Sequence, residues 1–574
     1  MTQAISTTPP ARKFLGEEFE LSTWESVKPF YENLVYRTIE NAQDLRKLFA
    51  DRSELESYLS ENFAWRYIKM TCDTSDKEIK AHFDQFVSEI QPQLAEYDDI
   101  LNKKTLENPF LSELTDNGFD ITIRGMKRAT EIFQNENIPL FTELQNLSSE
   151  YQATVGAMTV EIDGQVKTLQ QASVLLENTD RSLRESTYLK LQERRFQDHE
   201  KMDNIFNKML QIRHQIAVNA GFENFRDYSF AALKRFDYTP KECFDFHEAV
   251  AETVVPILND LTKDRKVAME LEQLRPFDKA VDTEGRPALH PFKGGEDLLN
   301  KTIECFSRMS PYLGECLRIM KRMGRLDLES RVGKAPGGYN YPLEETGFPF
   351  IFMNASSLMR DVITMLHEGG HAVHSIVTKD LALNTFRNFP SEVAELASMS
   401  MELISMDNWD VYFDNEDDLK RAKIQHLEDI ISTLPWVATV DKFQHWIYEN
   451  PTHTIPERTE AWLRMYEQFS DTVTDWSGLE KYQAVMWHKQ LHIFELPFYY
   501  IEYGIAQLGA IGVWKNYKQN PEKGLEGYLN ALKLGYTKPM GEIYAAANIP
   551  FDFSKEHIAS LMDFVRGELA DLKK

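Results

Sequence analysis

Apolar residues return at three- and four-residue steps through most of the chain, the spacing that lines one face of a helix, so the sequence predicts a mainly α protein. Met202, Ile205, Met209, Ile212 and Ile216 make one such stripe, whose ordinary use is core packing. Strand patterns are few. "MTVEIDGQVKTL" (158–169) alternates on either side of Asp163-Gly164, a pair suited to the positive φ angles of a tight hairpin. "FPFIFMN" (348–354) predicts a second strand. Residues 274–299 and 331–347 are rich in proline, glycine and charge and read as loops, and the Ser/Thr/Pro-rich start predicts a flexible tail over 1–13.

The chain has 574 residues, enough for more than one core. Its 64 Lys and Arg against 90 Asp and Glu leave a net charge of -26, which repels phosphates and argues against a nucleic-acid partner. Four cysteines without a CxxC pair suggest neither a disulfide framework nor a thiolate zinc site. No signal-peptide core and no membrane-length apolar run are present, so the expected location is cytoplasmic and away from membranes.

One stretch interrupts this ordinary picture. In "MLHEGGHAVH" (365–374) two glycines sit inside a helical pattern, each costing about 1 kcal/mol against alanine. His367 and His371 stand four apart, so on a helix both imidazoles project from one face and can chelate one ion, with Glu368 beside them. The apolar stripe Leu358, Val362, Met365, Gly369, Ala372 and Ile376 would be the buried side. Neutral imidazoles suit zinc, whose catalytic sites use three protein ligands and keep a position for water. The acidic helix "NFPSEVAELASMSMELI" offers Glu392, Glu395 and Glu402, and spacing does not choose between Glu392 and Glu395 as third ligand. His374 suits packing or support better than ligation. With zinc bound, Glu368 would take the proton of an attacking water in amide hydrolysis. Donors for the resulting oxyanion are sought in "QLHIFELPFYYIEYGIA", where His492, Tyr499, Tyr500 and Tyr503 cluster.

"HEGGHAVHS" (367–375), "AELAS" (394–398), "GKAPGGY" (333–339), "PFIFMN" (349–354) and "PFYYIEYGIA" (497–506) together resemble the zinc oligopeptidases of the thimet oligopeptidase and neurolysin family, most nearly the bacterial oligoendopeptidase F and Pz-peptidase branch. The likeness spans roughly 150–560, and the first 150 residues carry no matching motif. It implies a helical ellipsoid with a deep substrate channel and a small β-sheet beside the HExxH helix. The expected domains are an N-terminal helical region over 14–195, with the hairpin near 158–169, and a zinc metallopeptidase catalytic domain over 196–574. The likeness also implies one zinc per chain on His367, His371 and Glu395. Glu392 becomes the runner-up. By the same likeness, Glu368, His492, Tyr500 and Tyr503 are catalytic, with Tyr499 able to replace Tyr500. Gly337, Gly338, Tyr339 and Phe352 join Tyr499 in contacting substrate, "PFIFMN" being an edge strand that pairs with the peptide backbone. The expected activity is endopeptidase cleavage of short oligopeptides. The alternatives are an inactive peptide-binding scaffold with a structural zinc, and a thermolysin-like secreted protease, which the missing signal peptide disfavours. Gly369 and Gly370 would allow close approach of a neighbouring element or the peptide.

Overall fold

A computed structural model describes residues 5–116, 118–331, 333–335 and 337–574. The chain is mainly α-helical with two small sheets, and no helix among the described residues is long and apolar enough to cross a membrane. It divides into two compact units, each gathered from three separated segments. Unit 1 takes Met1–Glu131, His290–Ala422 and Gly509–Phe551; unit 2 takes Ile132–Leu289, Lys423–Leu508 and Asp552–Lys574. The linear boundary expected at 195/196 falls inside the helix Arg181–Gln197.

In unit 1 the long helix Ala42–Cys72 begins where the Asn41 side chain accepts from the Asp44 N–H, and its apolar face enters a core with Val27, Leu34, Leu101 and Phe386. The expected tail is tied down before it ends. Arg12 Nε donates to Glu345 Oε1 at 2.5 Å and its guanidinium lies over the Tyr58 ring, while the backbone N–H groups of Lys13, Phe14 and Leu15 all donate to Glu54. Residues 1–4 of that tail lie outside the described residues, as does Pro336 of the glycine loop.

The sheet of unit 1 has strands β3 (Leu326–Glu329), β4 (Tyr339–Tyr341) and β5 (Phe350–Ala355) in the order β3-β5-β4. β5 pairs parallel with β3 and antiparallel with β4, with Phe352 opposite Tyr339. This corrects the edge-strand expectation for "PFIFMN". That segment is the central strand, as its unbroken apolar run fits, since a strand buried on both faces need not alternate. Phe352 is fully buried and stacked on Tyr339, ring centroids 4.7 Å apart, so its side chain supports Tyr339 rather than reaching a ligand.

Unit 2 contains the predicted hairpin, β1 (Thr159–Ile162) and β2 (Gln165–Thr168), turned by Asp163 and Gly164 at φ 54° and 75°. The predicted stripe Met202 to Ile216 lies buried on the helix His199–Asn219.

Candidate metal and catalytic site

The two glycines explain how the site is built. Helix Met359–Thr378, which carries the HExxH residues, crosses helix Ser391–Ile404, which carries the acidic residues. At the crossing, a Cβ on Gly370 would stand 2.7 Å from both the Ala397 carbonyl oxygen and the Ser398 Cα. Gly369 faces the Phe306 ring at 2.8 Å in the same sense. The backbones touch because Gly370 has no side chain, and that contact brings the two helices' functional groups together.

The expected buried stripe is buried, but so are Leu366, Gly370 and Val373, leaving His367 and His371 half-buried on the remaining face. Their rings stand perpendicular, centroids 4.9 Å apart. Glu395 Oε2 lies 3.2 Å from His367 Nε2 and 3.7 Å from His371 Nε2. The acidic helix is buried almost all round, so its carboxylates need partners. Ser398 Oγ donates to Glu395 Oε2 at 3.0 Å, which accounts for the serine of "AELAS". Glu392, the runner-up ligand, is buried but is not among the three residues whose donor atoms converge.

Electrostatics follow from burial and these contacts. Burial opposes charge on His367, but hydrogen bonds to Glu395 and Glu402 outweigh it and raise its pKa well above the ordinary range. Burial lowers His371 to about 4 and raises Glu368 to about 7. Burial also works against ionised Glu395, yet His371 and His367 overcome it and bring that carboxyl down to about 2. Glu368 is buried, and its Oε2 has no hydrogen-bond partner among the described residues.

The donor set suits a metal ion. Two imidazole nitrogens and one carboxylate oxygen lie within 4.8 Å of one another. In a tetrahedral site with bonds of about 2.0–2.1 Å, ligand atoms stand about 3.3 Å apart, close to the 3.2 and 3.7 Å found here. His374 takes no part: it is fully buried and stacked on Phe389 at 3.5 Å.

The sequence offers Glu402 only as one of three acidic residues on its helix and gives Asn340 no role. Glu402 Oε1 lies 2.7 Å from His367 Nδ1, the contact that fixes the tautomer and orientation of a ligating imidazole. Its seven-residue step from Glu395 (402 minus 395), two helical turns, was the available signal. Asn340 on β4 donates from Nδ2 to the Glu368 carbonyl at 3.2 Å, joining the sheet to the site helix. Of the glycine loop, Gly337 has φ 97°, Gly338 lies against the Phe352 carbonyl, and the Tyr339 hydroxyl bonds Thr71 at 2.6 Å.

In unit 2, His492 sits among Tyr499, Tyr500 and Tyr503, ring centroids 5.1–5.7 Å away. Trp436 Nε1–H donates to Gln490 Oε1, which fixes that amide and turns its NH2 toward His492 Nδ1 at 2.9 Å. Nδ1 therefore accepts, and the His492 proton rests on Nε2, 3.4 Å from the Tyr503 hydroxyl. Burial raises Tyr500 to about 12, against hydrogen bonds to Trp436 and Gln490 that lower it.

Comparison with known proteins defines the class. The pattern of peptidase family M3 matches residues 174–290 and 318–562, and that of the peptidase M3 N-terminal domain matches 14–133, the stretch in which no motif was legible. The chain belongs to peptidase family M3 and is a metalloendopeptidase. Its likeness is to the oligoendopeptidase F branch. It is 23% identical over 72% of its length to an oligoendopeptidase F homolog of Borreliella burgdorferi, covering 70% of that protein, and 20% identical over 70% of its length to one of Lactococcus lactis, covering 65% of it. Among solved structures, Pz peptidase A in complex with an inhibitor superposes with a TM-score of 0.90 at 27% identity, covering 97% of this chain and 99% of that one.

Proposed function

We propose that this chain is a zinc-dependent endopeptidase that hydrolyses internal bonds of short oligopeptides, with His367, His371 and Glu395 as the ligands of one catalytic ion. The observation that carries this reading is the convergence of those three donors beside Glu368, a buried carboxylate with an uncommitted oxygen. When bound, zinc supplies Lewis acidity, acidifying a water and polarising a carbonyl. Glu368 then accepts the proton of the attacking water and returns it to the departing amine. Glu402 holds His367 in its ligating orientation.

The outer edge of β4 pairs with no strand among the described residues, so we assign backbone pairing with the peptide to Tyr339–Tyr341 rather than to β5. Gly337 and Gly338, just before it, keep that approach free of side chains. Family likeness assigns substrate contact and oxyanion stabilisation to His492, Tyr500 and Tyr503, with Tyr499 beside them. Described cysteines in no disulfide fit a reducing, cytoplasmic setting.

The test combines metal content with cleavage of a mixed peptide library by native protein, chelator-treated protein and Glu368→Gln. Loss of cleavage in both treated samples is expected. Cleavage that survives either one removes this assignment, and peptide binding without cleavage by the zinc-loaded native protein favours an inactive scaffold.

A further inference from the structure

A second group of metal-type side chains lies in unit 2, apart from the residues assigned above. Helix Pro240–Thr253 presents Cys243 and His247 one turn apart, and helix Glu416–Glu449 presents Asp441 and His445 at the same spacing. All four side chains are buried, none more than 2% exposed. The donor atoms of Cys243, Asp441 and His445 lie within 4.8 Å of one another. His247 Nε2 lies 2.8 Å from Asp441 Oδ2 and holds it by a hydrogen bond. His445 Nε2 is 3.3 Å from the same oxygen but makes no hydrogen bond there.

From these contacts the geometry points to a second, structural site for a soft divalent metal, zinc in the cell, with Cys243 Sγ, Asp441 and His445 as ligands and His247 orienting the aspartate.

Three arguments carry it. First, the hydrogen-bond inventory stays open: Asp441 Oδ1 and both ring nitrogens of His445 have no hydrogen-bond partner among the described residues. Buried polar atoms normally have one, and several in a single cluster call for an explanation. Second, the surroundings are apolar. Phe244 and Phe498 pack on the His445 ring with centroids 4.7 and 5.2 Å away, and Phe469 lies by His247. A carboxylate buried there needs partners, and the one hydrogen bond from His247 reaches only Asp441 Oδ2. Lys442, on the same helix, sends its ammonium to Glu248 and Gln468 instead. Third, the charges balance: a divalent ion with one thiolate, one carboxylate and neutral imidazoles is neutral overall, which a dry interior requires. Thiolate plus imidazole favours zinc over magnesium or calcium. Such an ion would cross-link two helices far apart in sequence and bind during folding, because every proposed ligand is buried.

The test uses full-length protein expressed in cobalt-supplemented medium and read by metal analysis and absorption. Only the Cys243 site contains sulfur, so a thiolate-to-cobalt charge-transfer band in the near ultraviolet reports it alone. Native protein is expected to hold two cobalt ions per chain and show the band. His371→Ala should lose one ion and keep the band, whereas Cys243→Ser should lose one ion and the band. If Cys243→Ser does not fold, the native and His371→Ala spectra decide. A native protein without the band, or a His371→Ala protein without metal, overturns the inference. One ion with the band, unchanged in His371→Ala, sustains it while removing the catalytic-site assignment.

Discussion

His367 and Glu402 are joined across two helices, Nδ1 to Oε1 at 2.7 Å, on the side of the ring opposite the one that meets Glu395. One imidazole thus touches two carboxylates carried two turns apart on the same helix. Replacing Glu402 with Gln keeps the shape and removes the charge. Zinc affinity, measured by chelator competition, is expected to fall about 10- to 100-fold, with kcat at saturating zinc changing less. Unchanged affinity would show that Glu402 only fills space.

Gly370→Ala forces a methyl against backbone, whereas Gly369→Ala meets the Phe306 ring, a side chain able to turn. The first is expected to cost about 1–3 kcal/mol of stability in denaturant titrations and to weaken zinc binding by spreading the two helices. The second should be milder on both counts. Equal effects would mean that the crossing yields as easily as the ring.

Burial first, and His371 second, hold His374 well below its ordinary pKa. An unfolded histidine titrates near 6.5, so above about that pH both states are neutral and the residue adds no slope. Below it, the unfolded chain binds a proton that the folded chain refuses, and stability drains away by up to about 1.4 kcal/mol per pH unit. Unfolding midpoints of native protein and His374→Gln, both in chelator, should diverge in slope below about pH 6.5. Parallel curves would show that His374 is protonated in place.

For the tyrosines, the proton on His492 Nε2, 3.4 Å from the Tyr503 hydroxyl, orients that hydroxyl and makes Tyr503 the better-prepared donor. Tyr503→Phe is expected to lower kcat by roughly 10²–10³-fold with little change in KM. Tyr499→Phe should do less. The reverse order would pass the oxyanion role to Tyr499.

Much of this was legible in the chain. Period-3.6 stripes and the Asp163-Gly164 turn specify local structure through the residues that form it, and HExxH carries its own geometry because a helix fixes where positions four apart project. Non-local placement was harder to read. Seven residues of apolar pattern mark β5 as a strand, but whether it lies at an edge depends on β3 and β4, which are short and arrive from loops. Composition suggested no thiolate metal site because CxxC spacing is a local signature. Cys243 meets Asp441 and His445, almost two hundred residues further along the chain, only through the packing of two helices. The glycine cost, by contrast, was visible from the start, and only the backbone of Ala397 and Ser398 explains it.

β4 is three residues long. At about 3.3 Å of rise per residue, such a rail measures about 10 Å and can grip only a few peptide units of a guest chain. Gripping main chain rather than side chains, it would set the direction in which a peptide lies while staying indifferent to most of its spelling. A protease built this way would be a generalist in sequence and strict in orientation, and its selectivity would have to come from elsewhere along the substrate.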